Sequence, residues 1–214
     1  MRLAGVCLGT DDLAAARRAY ELLLGVPPTA RDDGTLRFTF GRGSVDLVPD
    51  ATFRALRFVA EHPAPRTTVR GVPIVTSAVG DESPPAETAV AIDHVVVNTV
   101  DPDGAIAWWR DRMNLRLALD REFPARHLRL LFFRSGGLTL EYASPLPVPP
   151  DRSGDDRLHG VSYRVTDLVT RRERLVRAGV DVSEPRPGMR PGTTVATVRS
   201  GTAGVPTLLL QADG

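Results

Sequence analysis

The sequence predicts an α+β fold made of tandem βαβββ units with mixed sheets. Three observations predict it. One pattern of apolar strand, Asp-bearing cap and helix occurs three times along the 214 residues. About three short strand-like segments follow each helix. Tight turns punctuate these segments at Gly41-Arg42-Gly43, Ser135-Gly136-Gly137 and Ser200-Gly201-Thr202-Ala203-Gly204.

In the first unit the strand Leu3 to Leu8 meets Thr10-Asp11-Asp12. A helix follows, with Leu13, Ala16, Tyr20, Leu23 and Leu24 at helical spacing, and it stops at Gly25. Strands are expected near 29–32, 36–40 and 44–48. The stretch from Asp50 to Ala91 is poorer. It offers strands at Ala55 to Ala60 and Val72 to Thr76 without a capped helix between them, which reads as a degenerate fourth unit. Glu82-Ser83-Pro84-Pro85-Ala86-Glu87 has the composition of a linker.

The second unit opens with Ile92 to Thr99 and the Asp101-Pro102-Asp103 cap. Its helix runs through Ile106, Trp109 and Met113 to Asn114. Strands are expected near 115–120, 128–134 and 138–143. In the third unit, Gly160 to Val165 meets Thr166-Asp167, and a helix runs through Leu168, Leu175 and Val176 to Gly179. Its strands are expected near 180–183, 194–199 and 207–211. Asp or Thr at each strand end can cap the orphan N–H groups of the helix, and Gly or Asn can close it in a left-handed conformation. The expected organisation is a degenerate N-terminal half over 1–80, a linker over 81–91, and a domain of two units over 92–212, the units being 92–145 and 158–212.

Composition excludes several functions. With 42% hydrophobic and 25% charged residues the chain is an ordinary globular protein, neither collagen-like nor disordered. Its net charge of +1, without blocks of like charge, argues against nucleic acid and membrane surfaces as partners. Cys7 is the single cysteine, so neither a disulfide framework nor a Cys-based zinc site can be built. Every basic residue is Arg, which removes Schiff-base and lysine-base mechanisms. Asp11 and Asp12 interrupt the N-terminus before an apolar leader region forms, and no stretch approaches ~18 apolar residues. A cytoplasmic protein, monomer or homodimer, is expected.

The words Ile92-Asp93-His94-Val95-Val96-Val97, then Asp101, then Gly136-Gly137-Leu138-Thr139-Leu140-Glu141 resemble the vicinal oxygen chelate superfamily. This group includes glyoxalase I, bleomycin-resistance proteins, extradiol dioxygenases and methylmalonyl-CoA epimerase. Gly160 to Leu168 and Arg177 to Val182 resemble the opening of another such module. The resemblance implies paired βαβββ units around a cup. Within it, first-strand His and last-strand Glu residues can hold a divalent metal that acts as a Lewis acid.

By that resemblance His94 and Glu141 are the candidate catalytic pair and the candidate metal ligands. Strand alternation places Asn98 on the face of His94, and Thr139 on that of Glu141. Arg164 occupies the register of Asn98, where it either forks onto a ligand carboxylate or phosphate or forms a structural salt bridge. Ser162 and Gln211 complete the expected pocket. The third unit departs from the family pattern. Gly160 stands where a His is expected, and Leu209 where a carboxylate is expected. His159 is one residue off and serves as a third ligand only if a bulge turns it. Gln211 offers an amide oxygen.

A divalent ion of weak or partial occupancy is therefore expected, with no organic cofactor. Two readings stay open. One is a lyase or isomerase acting on a small oxygen-rich metabolite; the other is a metal-free protein that sequesters a small molecule in the same cup. Two further features also keep two readings. His127 is either a lid residue or a solvated loop residue, and 187–193 is either a lid or a plain turn. Trp108 and Trp109 are packing residues, of which at most one faces the core.

Overall fold

The computed structural model describes residues 1–41, 43–80 and 90–213. The linker expected at 82–87 and Arg42 of the first turn lie outside the described residues. The first sheet is built from β1 (Arg2–Gly9), β2 (Thr29–Ala30), β3 (Leu36–Thr39), β4 (Ser44–Val48), β5 (Arg54–Ala60), β6 (Thr67–Val69) and β7 (Val72–Ala78). Its order is β2-β3-β4-β1-β5-β7-β6. The second sheet uses β8 (Val90–Asn98), β9 (Arg116–Phe123), β10 (Leu128–Ser135), β11 (Leu138–Pro145), β12 (Arg157–Val165), β13 (Arg186–Pro187), β14 (Thr193–Val198) and β15 (Thr207–Ala212). Its order is β13-β14-β15-β12-β8-β11-β10-β9. Strand for strand, the first sheet repeats the second without its last strand. The fold is α+β, with two mixed sheets and few helices.

The three helices start by one device. Asp12, Asp101 and Asp167 each accept a hydrogen bond from the backbone N–H three residues on, at Ala15, Gly104 and Thr170. These caps open α1 (Leu13–Leu24), α2 (Pro102–Ile106) and α3 (Leu168–Arg177). The second helix departs from expectation, because α2 continues as a π-helical turn over Ala107–Arg112. Met113 N–H reaches back five residues to the Trp108 carbonyl. Trp109 is fully buried and donates from Nε1 to the Tyr142 hydroxyl at 2.8 Å. Trp108 lies half-buried under the Arg112 guanidinium.

Two strands differ from the reading above. Thr67–Val69 forms an edge strand that the sequence pattern did not mark. The segment expected at 180–183 makes only a single bridge, Val182 to Val198, and the paired edge strand is Arg186–Pro187. Pro185 and Pro187 have no N–H to extend the ladder, which explains the short edge.

One apolar core runs through both sheets. Leu3, Val6, Leu8, Phe38, Phe58 and Ile74 of the first sheet join Val95, Val97, Leu140, Tyr142 and Leu209 of the second. Phe58 stacks on Trp109 with ring centroids 5.7 Å apart, and Phe40 meets Tyr163 at 6.1 Å. At the edge of this junction Arg70 bonds the buried Asp156 at 2.7 Å and the α2 cap residue Asp101 at 3.2 Å. Each sheet therefore turns one face inward and leaves its other face to form a cup. No described helix is long and apolar enough to cross a membrane.

Candidate functional site

The cup of the second sheet holds a cavity of about 520 Å³. β8 runs antiparallel to β12, and each strand carries a bulge at the equivalent place. Ser162 pairs with His94 and Tyr163 with Ile92, so Asp93 is the extra residue of β8. Leu158 pairs with Val97 and Gly160 with Val96, so His159 is the extra residue of β12. In the first sheet the register between β1 and β5 skips Ala4. Ala4, Asp93 and His159 each stand eight residues before their helix-capping Asp. A bulge lets two neighbouring residues address one face. Asp93 and His94 thus both line the cavity, and His159 joins them there.

His94 is held from one side by a chain of partners. Arg164 donates to Asp93 Oδ1 through Nε at 2.9 Å and through a second, shorter bond from Nη2. Asp93 Oδ2 lies 2.9 Å from His94 Nδ1. Burial works against the Asp93 charge, but the bonds from His94 and Arg164 outweigh it and bring the pKa down to about 2. An ionised carboxylate only accepts hydrogen bonds, so Nδ1 carries the proton and Nε2 is turned to the cavity. There Nε2 stands 3.6 Å from Glu141 Oε2. Burial pushes the Glu141 carboxyl above its ordinary range; His94 opposes this and Asp93 adds to it. The 3.6 Å gap exceeds a direct hydrogen bond, and an atom set beside the pair, about 3 Å from each, can exchange a proton with either.

The other expected residues are distributed unevenly. Thr139, Ser162 and Arg164 line the cavity with His94 and Glu141. Thr139 Oγ1 accepts from Arg134 Nη1 at 2.6 Å. Asn98 does not line it. It lies four residues along β8 from His94, roughly 13 Å at strand rise, and borders a separate cavity with His127 and Ala143. Gln211 is also elsewhere. Ser162 pairs with Leu208, so Leu208 and Leu210 face the cavity while Leu209 enters the core. Leu208, one residue from the position expected, therefore matches Glu141. Gln211 shares the face of Leu209, and its Oε1 accepts the Leu168 N–H at the start of α3.

Both positions equivalent to His94 are closed to side chains. A Cβ on Gly160 would lie 2.8 Å from the Pro206 carbonyl oxygen, and one on Gly5 would lie 1.9 Å from that of Ser44. Among the described residues no group of three or more His, Cys, Asp or Glu side chains is arranged to hold a metal. His94 and Glu141 are the two donors aimed at one point, while Asp93 is committed to Arg164. Two protein donors do not fit a tightly resident divalent ion, which takes three or four.

The cup of the first sheet is filled by ion pairs. Asp46 stands beside Cys7 as Glu141 stands beside Val96. Arg57 stands opposite Gly5 where the second sheet has Ser162 opposite His94. Its buried guanidinium donates to Ser44 Oγ at 3.1 Å and Ser77 Oγ at 2.8 Å. Arg37 forks onto both oxygens of Asp46 at 2.7 and 2.5 Å. Burial, reinforced by Asp46, pushes the Cys7 thiol far up, so it is not a nucleophile at neutral pH.

Sequence reasoning missed Asp93, Arg126, Arg134, Arg186 and Arg190, all of which border the 520 Å³ cavity. Residues 93–197 match the family model of the Glyoxalase/Bleomycin resistance protein/Dioxygenase superfamily. This part of the chain belongs to that superfamily. The match begins at the bulged Asp93 and ends at the cavity-lining Thr197, so it spans most of the cup of the second sheet.

Among solved structures, a hypothetical protein from Bacillus halodurans C-125 is similar at 21% identity and a TM-score of 0.50, covering 59% of this chain and 96% of its own. Methylmalonyl-CoA epimerase from Mycobacterium tuberculosis is similar at 20% identity and a TM-score of 0.47, covering 57% and 88%. A Streptomyces coelicolor methylmalonyl-CoA epimerase in complex with 2-nitronate-propionyl-CoA gives 18% identity and a TM-score of 0.46, covering 57% and 97%. The Bacillus protein shares the fold. No curated protein matches the sequence.

Proposed function

We propose that the chain is an enzyme of isomerase or lyase type that moves a proton on a small oxygen-bearing metabolite held in the 520 Å³ cup. The observation that carries this reading is the line Arg164–Asp93–His94–Glu141, which ends in two facing proton carriers inside the cavity. Asp93 orients the imidazole, and burial keeps Glu141 nearer to neutral pH than an ordinary carboxyl. One of the pair takes a proton from a carbon next to a carbonyl. The same pair returns it, on the same face or from the other side. Thr139 and Ser162 are positioned to hold substrate oxygens.

The assay is proton exchange in deuterated water with a panel of 2-oxo acids and α-hydroxy ketones, followed by proton NMR. At least one panel member is expected to exchange, with loss of about 10²-fold or more in Glu141→Gln and His94→Ala. Saturable binding without exchange of any member would favour the second reading, a sequestering protein. The apolar walls given by Val96, Phe132, Leu208 and Leu210 are what support that reading.

Metal content is a separate expectation. With two aligned donors and the sister positions closed at Gly160 and Leu208, a divalent ion is expected at well below one equivalent. Elemental analysis of protein purified without chelator measures it. One full equivalent, lost in both His94→Ala and Glu141→Ala, would show that a third donor completes the site.

A further inference from the structure

We propose that the ligand of this cup is an anion with an apolar body, its carboxylate or phosphate monoester held by arginines at the cavity mouth. The proposal rests on the cup being the ligand site, not on proton transfer within it. The chain as a whole is balanced, with 27 basic and 26 acidic residues. The cavity wall is not. It carries Arg126, Arg134, Arg164, Arg186 and Arg190 against Asp93 and Glu141.

Arg164 is spent on Asp93. The other four form no ion pair with an Asp or Glu among the described residues. Glu141 leaves them in excess, one carboxyl group against four guanidinium groups.

The four come from both units of the sheet. Arg126 follows β9 and Arg134 belongs to β10, whereas Arg186 and Arg190 flank Pro187-Gly188-Met189 after α3. Two of them are steadied by hydroxyls that also line the cavity. Arg134 donates one bond to Thr139 and Arg186 one to Thr197 at 3.3 Å. A guanidinium has five N–H donors, so each keeps most of its fork for a ligand. Like charges gathered around a concave wall of low polarity focus a positive potential into the cavity and draw anions to it. Below them the wall is apolar, through Val96, Phe132, Val195, Leu208 and Leu210. The occupant therefore presents an anionic group to the mouth and a hydrocarbon portion to the wall, with its reactive carbon near His94 and Glu141.

The test is isothermal calorimetry on the whole protein with three probes of one shape: phenylacetate, phenyl phosphate and neutral phenylacetamide. At least one anionic probe is expected to bind at least about tenfold more tightly than the amide, with affinity falling as salt rises. The stronger of the two identifies carboxylate or phosphate as the recognised group. The pair of substitutions Arg134→Gln and Arg190→Gln is expected to erase the preference. Arg199→Gln, whose parent residue pairs with Asp181 away from the cavity, is expected to leave it unchanged. Equal affinity for the amide, or an anion preference insensitive to Arg134 and Arg190, would overturn the proposal. Glu141→Gln separates the two claims. It is expected to keep anion binding while losing exchange, so anion binding without exchange in the parent protein would sink the enzyme reading alone.

Discussion

Asp93 shows how one residue links stability to the site. Its carboxylate joins a half-exposed arginine to a cavity histidine, and the pKa falls from the usual 3.8 to about 2. A lowered carboxyl pKa gives stability that is present above the unfolded value and lost as pH falls through the folded one. Asp93→Asn is therefore expected to cost about 1 kcal/mol at pH 7, a figure reduced because Arg164 is solvated. The deficit should shrink between about pH 4 and pH 2 and vanish below that. Urea denaturation of both proteins across that range measures it, and a deficit constant with pH would assign the loss to packing instead. In the same variant the His94 Nδ1–H donates to an uncharged amide oxygen, a weaker acceptor than the carboxylate. Exchange activity should therefore fall while anion binding is kept or strengthened, because the substitution removes a wall carboxylate and releases Arg164.

At the level of elements, the strands, caps and helices were legible because each follows a local rule. Period-2 apolar runs, an Asp at the strand end and a Gly or Asn at the helix end recur in all three units, and the structure places an Asp cap on each helix. His94 and Glu141 were legible through the resemblance to the vicinal oxygen chelate superfamily, and alternation supplied only which neighbours share their faces. What alternation cannot display is a bulge, because the extra residue leaves no mark in the hydrophobic pattern. Asp93 was unreadable for that reason, and His159 reached the cavity only through the bulge that its reading required. Gln211 was misplaced by a one-residue error in matching β15 to β11, which exchanges every side chain between faces. The rim arginines escaped notice because in a chain with 27 arginines none stands out until the fold gathers them. The repeated offset of Ala4, Asp93 and His159 from their caps is the one signal by which comparison of the three units could have exposed the bulges.

For the whole molecule, the decisive feature is that the two sheets share a core while their cups have different fates. The first cup is closed by Arg37, Asp46 and Arg57, and the second is open and holds the candidate site. The closed half is nevertheless not separable from the open one. Phe58 of β5 is fully buried and lies against Trp109, whose indole N–H in turn bonds Tyr142 beneath the second sheet. Removing the Phe58 ring leaves a cavity against Trp109, and a large-to-small change of this kind costs about 3–5 kcal/mol. Because the loss falls on contacts between the sheets, Phe58→Ala is expected to lower the stability of both at once. Tryptophan fluorescence, from Trp108 and Trp109, and far-ultraviolet circular dichroism should then report one common transition, as in the parent protein but at a lower denaturant concentration. Two separated transitions in the parent would mean that the halves fold independently and that the N-terminal sheet does not buttress the site. A single transition lost together makes the first sheet a buttress behind the open cup, holding the helix end at Trp109 and, through Tyr142, the strand that carries Glu141.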